Sequence, residues 1–301
     1  MTRDIASPGL PPCPIMHRIA DSNPASRPDL PVPPLIQYVG LATPFHSAAS
    51  EAEMMNTYLP LIALMFPFAA GAATLTVAVA ANVQYAFDDI SAAFKKETGH
   101  DIRPVYNSSG KFFAQIVNGA PFDVFLSADM EFPNKLHNEG HADAPKIYAY
   151  GALVLWTMKD INLADWQGAL RNEAVRRIAV ANPKVAPYGR ETMKALAGFR
   201  LDDALKPKLV FGESISQTNQ YIHSGAADAG FTAKSVVVSP EMRGQGKWID
   251  LPRTSYQPIA QGAVVLTHGR KNNPALSKQF HDFMLGPASR NILERYGYQL
   301  P

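Results

Sequence analysis

The chain has one cysteine, Cys13, in 301 residues. A single thiol builds neither a disulfide framework nor a cysteine-rich metal site. Charge is also scarce: 18% of residues are charged and the formal net charge is +2. No electrostatic footprint for DNA or RNA results. No Lys or Arg lies between Arg27 and Lys95. The apolar run from Leu59 to Ala70 is about twelve residues, too short to span a bilayer. The pattern G-x-x-x-x-G-K-[ST] does not occur, which excludes a P-loop, and no internal period suggests a repeat protein. What is present is apolar material, 47% of the chain, enough for one large or two medium globular domains.

Proline is unevenly spread. Ten of the 25 prolines fall in residues 1–50, as in "SPGLPPCPI" and "RPDLPVPPLIQ". No helical or alternating period survives that density, so residues 1–54 read as a disordered extension. The run that follows ends in Ala70-Gly71-Ala72, a small-x-small cleavage pattern. Residues 55–72 therefore read as a signal peptide, though without the usual basic start. A start at Met54 or Met55 would place it at the N-terminus and leave the preceding residues untranslated. The mature protein would begin near Ala73, in an extracytoplasmic space.

From Thr74 onward, strand-like and helix-like segments alternate. "TLTVAVAAN" (74–82) reads as a buried strand. "YAFDDISAAFKKETG" (85–99) reads as a helix with Ala86, Phe87, Ile90, Ala93 and Phe94 on one face, stopped by Gly99. Further strands are expected at 101–107, 122–129, 151–158, 176–182, 208–214, 226–233 and 261–269. Helices are expected at 111–119, 190–199, 215–224 and 275–296. The alternation defines an α/β fold with mostly parallel sheets.

In such folds ligands bind where strands end and helices begin. Four junctions carry donors or open backbone: Ala81-Asn82, Ser108-Ser109-Gly110, Pro187-Tyr188-Gly189 and Ser214-Ile215-Ser216. Helix N-termini expose unpaired N–H groups and partial positive charge, and several aimed at one point would bind an anion without a formal cation. Each junction taken singly reads equally as an N-cap. "VYNSSGKFF" adds a third reading, because Ser108 to Lys111 fits S-x-x-K, a serine nucleophile with a lysine base. The partner motifs of such a hydrolase are missing; Lys234-Ser235-Val236 lacks the glycine that a K-T-G strand needs. His137 and His141 are four apart, yet Gly140 lies between them and no third ligand follows, so they read as a surface loop.

Three segments carry a resemblance: "VAVAANVQYAFDDISAAFKKETG", "YNSSGKFFAQIVNGAPFDVFLSAD" and "FMLGPASRNILERYGYQLP". From Thr74 to Pro301 the chain resembles the periplasmic molybdate-binding proteins of ABC importers. The resemblance implies a two-lobed periplasmic binding protein fold of type II, with mostly parallel sheets flanked by helices and a cleft between lobes. Lobe 1 would be 74–152 plus 258–301, and lobe 2 would be 153–257. The oxyanion contacts would fall on Asn82, Ser109, Tyr188 and Ile215, with Ala81, Ser108, Gly110, Lys111 and Arg190 as further candidates. A tyrosine of some relatives falls here on Ala233, and the Tyr188 hydroxyl is a candidate replacement. The implied ligand is molybdate or tungstate, the partners are the permease transmembrane subunits, and the protein is a periplasmic monomer with no catalytic role, cofactor, nucleic acid or free metal cation.

The chemistry agrees with the residue types. Molybdate is a tetrahedral dianion with acceptors only, so neutral donors satisfy it fully. Protonated phosphate brings an O–H that finds no acceptor there. Sulfate differs in size alone and remains the alternative ligand; a serine hydrolase using Ser108 and Lys111 is the alternative activity.

Overall fold

A computed structural model describes residues 74–301. The expected extension (1–54) and signal peptide (55–72) lie outside the described residues. Strand β1 (Thr74–Ala80) is buried along most of its length, as its unbroken Val and Ala run requires of a strand covered on both faces. A tight turn at Ala81–Val83 leads into α1 (Gln84–Thr98), which buries Ala86, Phe87, Ile90 and Phe94. Gly99 ends α1 at φ 76°, a left-handed conformation that glycine adopts without strain. The chain continues as β2 (Asp101–Asn107), α2 (Ser109–Val117), β3 (Val124–Leu126), α3 (Glu131–Asn138) and β4 (Lys146–Gly151).

Past Ala152 it enters a second sheet. Here follow β5 (Leu153–Thr157), α4 (Trp166–Arg171), β6 (Ile178–Ala181), α5 (Pro187–Gly198), α6 (Asp202–Leu205) and β7 (Leu209–Gly212). Then come α7 (Ile215–His223), β8 (Ala229–Ala233), α8 (Lys234–Val237) and β9 (Lys247–Asp250). The chain returns to the first sheet with β10 (Ile259–Val265) and closes with α9 (Thr267–Asn272), α10 (Pro274–Leu285) and α11 (Pro287–Arg295).

The strand orders are β2-β1-β3-β10-β4 and β7-β6-β8-β5-β9. In each sheet the first three strands are parallel, as βαβ crossovers demand, and the strands entering from the other sheet run antiparallel. The expectation of mostly parallel sheets thus applies to the βαβ halves, while each sheet as a whole is mixed. Together the two sheets and their flanking helices make a two-lobed binding-protein fold of type II.

Each face of the first sheet has its own aromatic core. Under α1 and α10, Phe94 lies edge-on to Phe280 and Phe283, both at 5.2 Å. Under α2, Phe112 packs on Phe122 at 5.5 Å and on Phe125 at 5.9 Å. The second sheet is held by fully buried Trp156 and Phe231, with Trp166 edge-on to Phe199 at 5.1 Å. Burial of this kind contributes about 25 cal/mol per Å² of apolar surface.

Several boundaries differ from expectation for local reasons. The helix expected over 275–296 is two helices, because the Pro287 ring cannot continue a helix and begins the next one. The strand expected at 122–129 is confined to Val124–Leu126. The Asp123 carboxylate accepts from Thr76 N–H at 2.8 Å, which fixes the strand's entry. The helix expected from 190 starts at Pro187, which puts Tyr188 inside its first turn. Strands β4 and β9 and helix α3 have no counterpart in the sequence reading.

Candidate functional site

The carboxyl ends of β1, β2, β6 and β7 all deliver the chain to a helix N-terminus, and these ends meet between the lobes. Ala80, Ala81, Asn82, Ser108, Ser109, Ala128, Ala186, Pro187, Tyr188 and Ile215 line one small cavity there. A solvent centre has about 10 Å³ in which to move, room for about one water. A larger cavity of about 520 Å³ lies on the outer face, lined by Phe94, Lys278, Asp282 and Phe283 among others. It includes none of these loops.

The local backbone explains what the cavity offers. Ser109, Tyr188 and Ile215 stand in the first turns of α2, α5 and α7, and Asn82 stands in the turn that opens α1. First-turn N–H groups have no partner within their helix. The cap positions Ala80, Ser108 and Ala186 make no side-chain cap bond. Ser214 does cap α7, accepting from Gln217 N–H at 3.3 Å. So the cap reading holds for Ser214 and not for Ser108.

The side chains sharpen this picture. Ser109 Oγ accepts from Ala128 N–H at 2.9 Å, which leaves its own proton to donate elsewhere. Ser108 Oγ and Asn82 Oδ1 are buried with no hydrogen-bond partner. Buried polar atoms are nearly always paired; Ser108 Oγ has a proton to give an acceptor, whereas Asn82 Oδ1 can only accept and an oxyanion would not pair it. Both protons of the Asn82 amide are taken, by Gln261 Oε1 at 2.9 Å and Tyr298 Oη at 3.1 Å. What Asn82 offers the cavity as a donor is therefore its backbone N–H.

Behind the cavity lies a polar network that sequence reasoning missed. Gln261, fully buried on β10, accepts from Tyr148 Oη at 2.7 Å and donates to Tyr188 Oη at 3.1 Å. Ser235 Oγ donates to the Asn82 carbonyl at 2.7 Å, and Tyr298 Oη donates to it at 2.9 Å. The Tyr188 phenol is turned toward the crossover: a Cβ on Gly151 would lie 2.0 Å from its oxygen. Burial raises the pKa of Tyr148 and Tyr188 well above the usual phenol value, and that of Tyr298 to about 12. All three stay neutral, so the lining carries no formal charge.

The remaining candidates have other partners. Gly110 N–H donates to Val185 O at 2.8 Å, and a Cβ there would meet Val185 Cα at 2.8 Å. Gly110 thus permits a close approach of two backbones, not of backbone to ligand. Lys111 Nζ pairs with Glu213 at 2.8 Å, which holds that carboxyl below its usual range through the hydrogen bond and the charge. Arg190 pairs with Asp129 and, at 3.2 Å, with Glu131. Neither cation lines the cavity, because a carboxylate across the cleft satisfies each. Lys111 is therefore not Ser108's base, and Lys234 Nζ goes to Asp250 at 2.7 Å, so the hydrolase arrangement is not assembled. Ala233 ends β8 outside the cavity lining. His137 Nδ1 lies 3.2 Å from Ala142 O in the loop after α3.

This architecture, with neutral helix ends converging between two lobes, is that of a solute-binding receptor. The bacterial extracellular solute-binding protein family matches residues 75–299, and the chain belongs to it. It is a binding component, not an enzyme. It is 42% identical over 234 residues to the molybdate-binding protein ModA of Azotobacter vinelandii, covering 77% of this chain and 92% of that one. The identity to ModA of Rhodobacter capsulatus is 38% over 240 residues, covering 79% and 92%. The solved periplasmic molybdate-binding protein of A. vinelandii aligns with a TM-score of 0.71 at 38% identity, covering 75% of this chain and 99% of that one. A sulfate-binding protein of Mycobacterium tuberculosis aligns with a TM-score of 0.63 at 13% identity and shares the fold alone. The resemblance drawn from the sequence is borne out.

Proposed function

We propose that the protein captures molybdate, and tungstate with it, and delivers the anion to the transmembrane subunits of an ABC importer. The observation that carries this reading is the cavity: four helix N-termini, three of them uncapped by side chains, around one small space, with no charged residue in the lining. A tetrahedral dianion takes hydrogen bonds from every side and supplies the charge that strengthens them. Ser109 would give its hydroxyl and backbone N–H, Asn82, Tyr188 and Ile215 their backbone N–H groups, and Ser108 its unpartnered hydroxyl. The partial positive ends of the helices favour the anion.

The lobes in this reading are 74–152 with 258–301, and 153–257. They close on the anion by hinge motion about the two crossovers. The protein works as a periplasmic monomer, exported by the signal peptide at 55–72. Tungstate follows molybdate because the two ions match in charge and nearly in size. Isothermal titration calorimetry with molybdate, tungstate, sulfate and phosphate tests the reading. Tight, saturable heats are expected for the first two; tight binding of phosphate without molybdate would overturn it.

A further inference from the structure

Arg190 lies on α5, two residues past Tyr188 of the cavity lining, and its guanidinium reaches across to the other lobe. What receives it there has three parts. Asp129 and Glu131 each accept from or pair with Nη2. The Phe132 ring lies under the guanidinium, 5.3 Å from Cζ to the ring centre, within cation–π range. The Asp129 carboxylate is already oriented by its own lobe, since Oδ1 accepts from Ser127 Oγ at 3.0 Å and from Phe132 N–H at 3.3 Å. Its other oxygen, Oδ2, is the one Arg190 takes. Phe132 also borders Gly110, whose N–H bonds Val185 O of the opposite lobe at 2.8 Å. These contacts form one continuous seam beside the cavity. None of Arg190, Asp129, Glu131 or Phe132 lines the cavity itself.

We infer that Arg190, seated in the Asp129–Glu131–Phe132 socket, is the latch of the closed receptor and sets how long the bound anion is retained without touching it. The inference rests on the oxyanion reading. Opening the lobes must withdraw the guanidinium from two carboxylates and an aromatic face at once. Asp129 and Arg190 are mostly buried, at 14% and 25% side-chain exposure, so solvent replaces that interaction poorly. The second cross-cleft pair, Lys111–Glu213, is exposed at 38% and 56%; solvent and salt screen it, so it contributes little to retention. Because the latch forms only on closure, its loss should act on dissociation and leave encounter nearly unchanged.

The test is stopped-flow dissociation of molybdate from the purified protein, displaced by excess tungstate, alongside calorimetry and thermal denaturation without ligand. Arg190→Ala and Asp129→Asn should each raise the dissociation rate by roughly tenfold or more, the signature of breaking a largely buried charge pair. Association should change by less than about threefold, and the melting temperature of the ligand-free protein should stay near wild type. Arg190→Lys should recover part of the retention, because it restores the charge without the planar fork. Lys111→Ala should leave dissociation within about threefold of wild type. Wild-type binding with unchanged dissociation in Arg190→Ala would overturn the latch alone. If the wild-type protein binds none of the four oxyanions, the ligand reading falls and the latch falls with it.

Discussion

The two seams that flank the cavity are built from different materials. On the hinge side the lobes meet through an uncharged network: Tyr148, Gln261 and Tyr188, then Asn82, Tyr298 and Ser235, all buried. At the mouth they meet through a single backbone bond, Gly110 to Val185, and through ion pairs at Arg190 and Lys111. A buried neutral network is costly to leave half satisfied, so the hinge side should stay assembled in every state. The exposed Lys111–Glu213 pair exchanges for water at small cost, so at the mouth only the Arg190 contacts resist opening. In the proposed reading the anion would lie between a permanent wall and a reversible one.

The comparison is broken most severely from the hinge side. Gln261→Leu leaves the Asn82 amide, Tyr148 and Tyr188 without their shared partner in a buried site. The expected loss is about 3 kcal/mol of stability, from orphaned buried polar groups, accompanied by weakened molybdate binding because Asn82 loses its orientation. Thermal denaturation and calorimetry read the two effects; unchanged stability would remove the network's structural role.

Ser109→Ala acts on the donor set instead. It removes one charge-assisted hydrogen bond to the anion, worth about 1.5–3 kcal/mol, or roughly 10- to 100-fold in affinity. The Ala128 N–H also loses its acceptor, so a modest drop in melting temperature should accompany the change. Affinity unchanged by calorimetry would exclude Ser109 as a ligand.

Tyr188→Phe separates the seams more finely. The phenol oxygen accepts from Gln261 and abuts Gly151, so its loss should cost about 1 kcal/mol of stability. Affinity should stay within about threefold, since the hydroxyl is turned to the hinge and the backbone is the donor. A large affinity loss at intact stability would instead make the hydroxyl the replacement for the tyrosine missing at Ala233. Smallest of all, Lys111→Ala should leave the melting temperature near wild type, and closer still at high salt.

Much of this was legible in the sequence where the signal is local. Gly99 stops α1 and Lys95 and Lys96 occupy its last turn, as a helix end should read. The strand-to-helix junctions at Asn82, Ser109, Tyr188 and Ile215 are evident one at a time, and their residues do line one cavity. Pairings between distant positions are not written in any window. Nothing near Arg190 announces Asp129, and nothing near Gln261 announces Asn82 or Tyr148, because folding alone brings them together. The same limit explains why Lys111 and Arg190 stand only as further candidates in the sequence: their position past the loops is visible, and the carboxylates that take them are not. Gln261 carried one faint signal, a lone amide in the apolar run "QGAVVLT" of β10. Boundaries failed where two signals compete, as at Leu285-Gly286-Pro287, where an apolar helical period runs through a residue that must restart the helix.

The most direct test is a crystal structure of the molybdate-loaded protein with anomalous data at the molybdenum edge. A single anomalous peak is expected inside the cavity, within hydrogen-bond reach of Ser109 Oγ and the backbone nitrogens of Asn82, Tyr188 and Ile215, with Arg190 still on Asp129. A peak coordinated by Arg190 or Lys111, or no peak between the lobes, would contradict a receptor that holds its dianion with neutral donors.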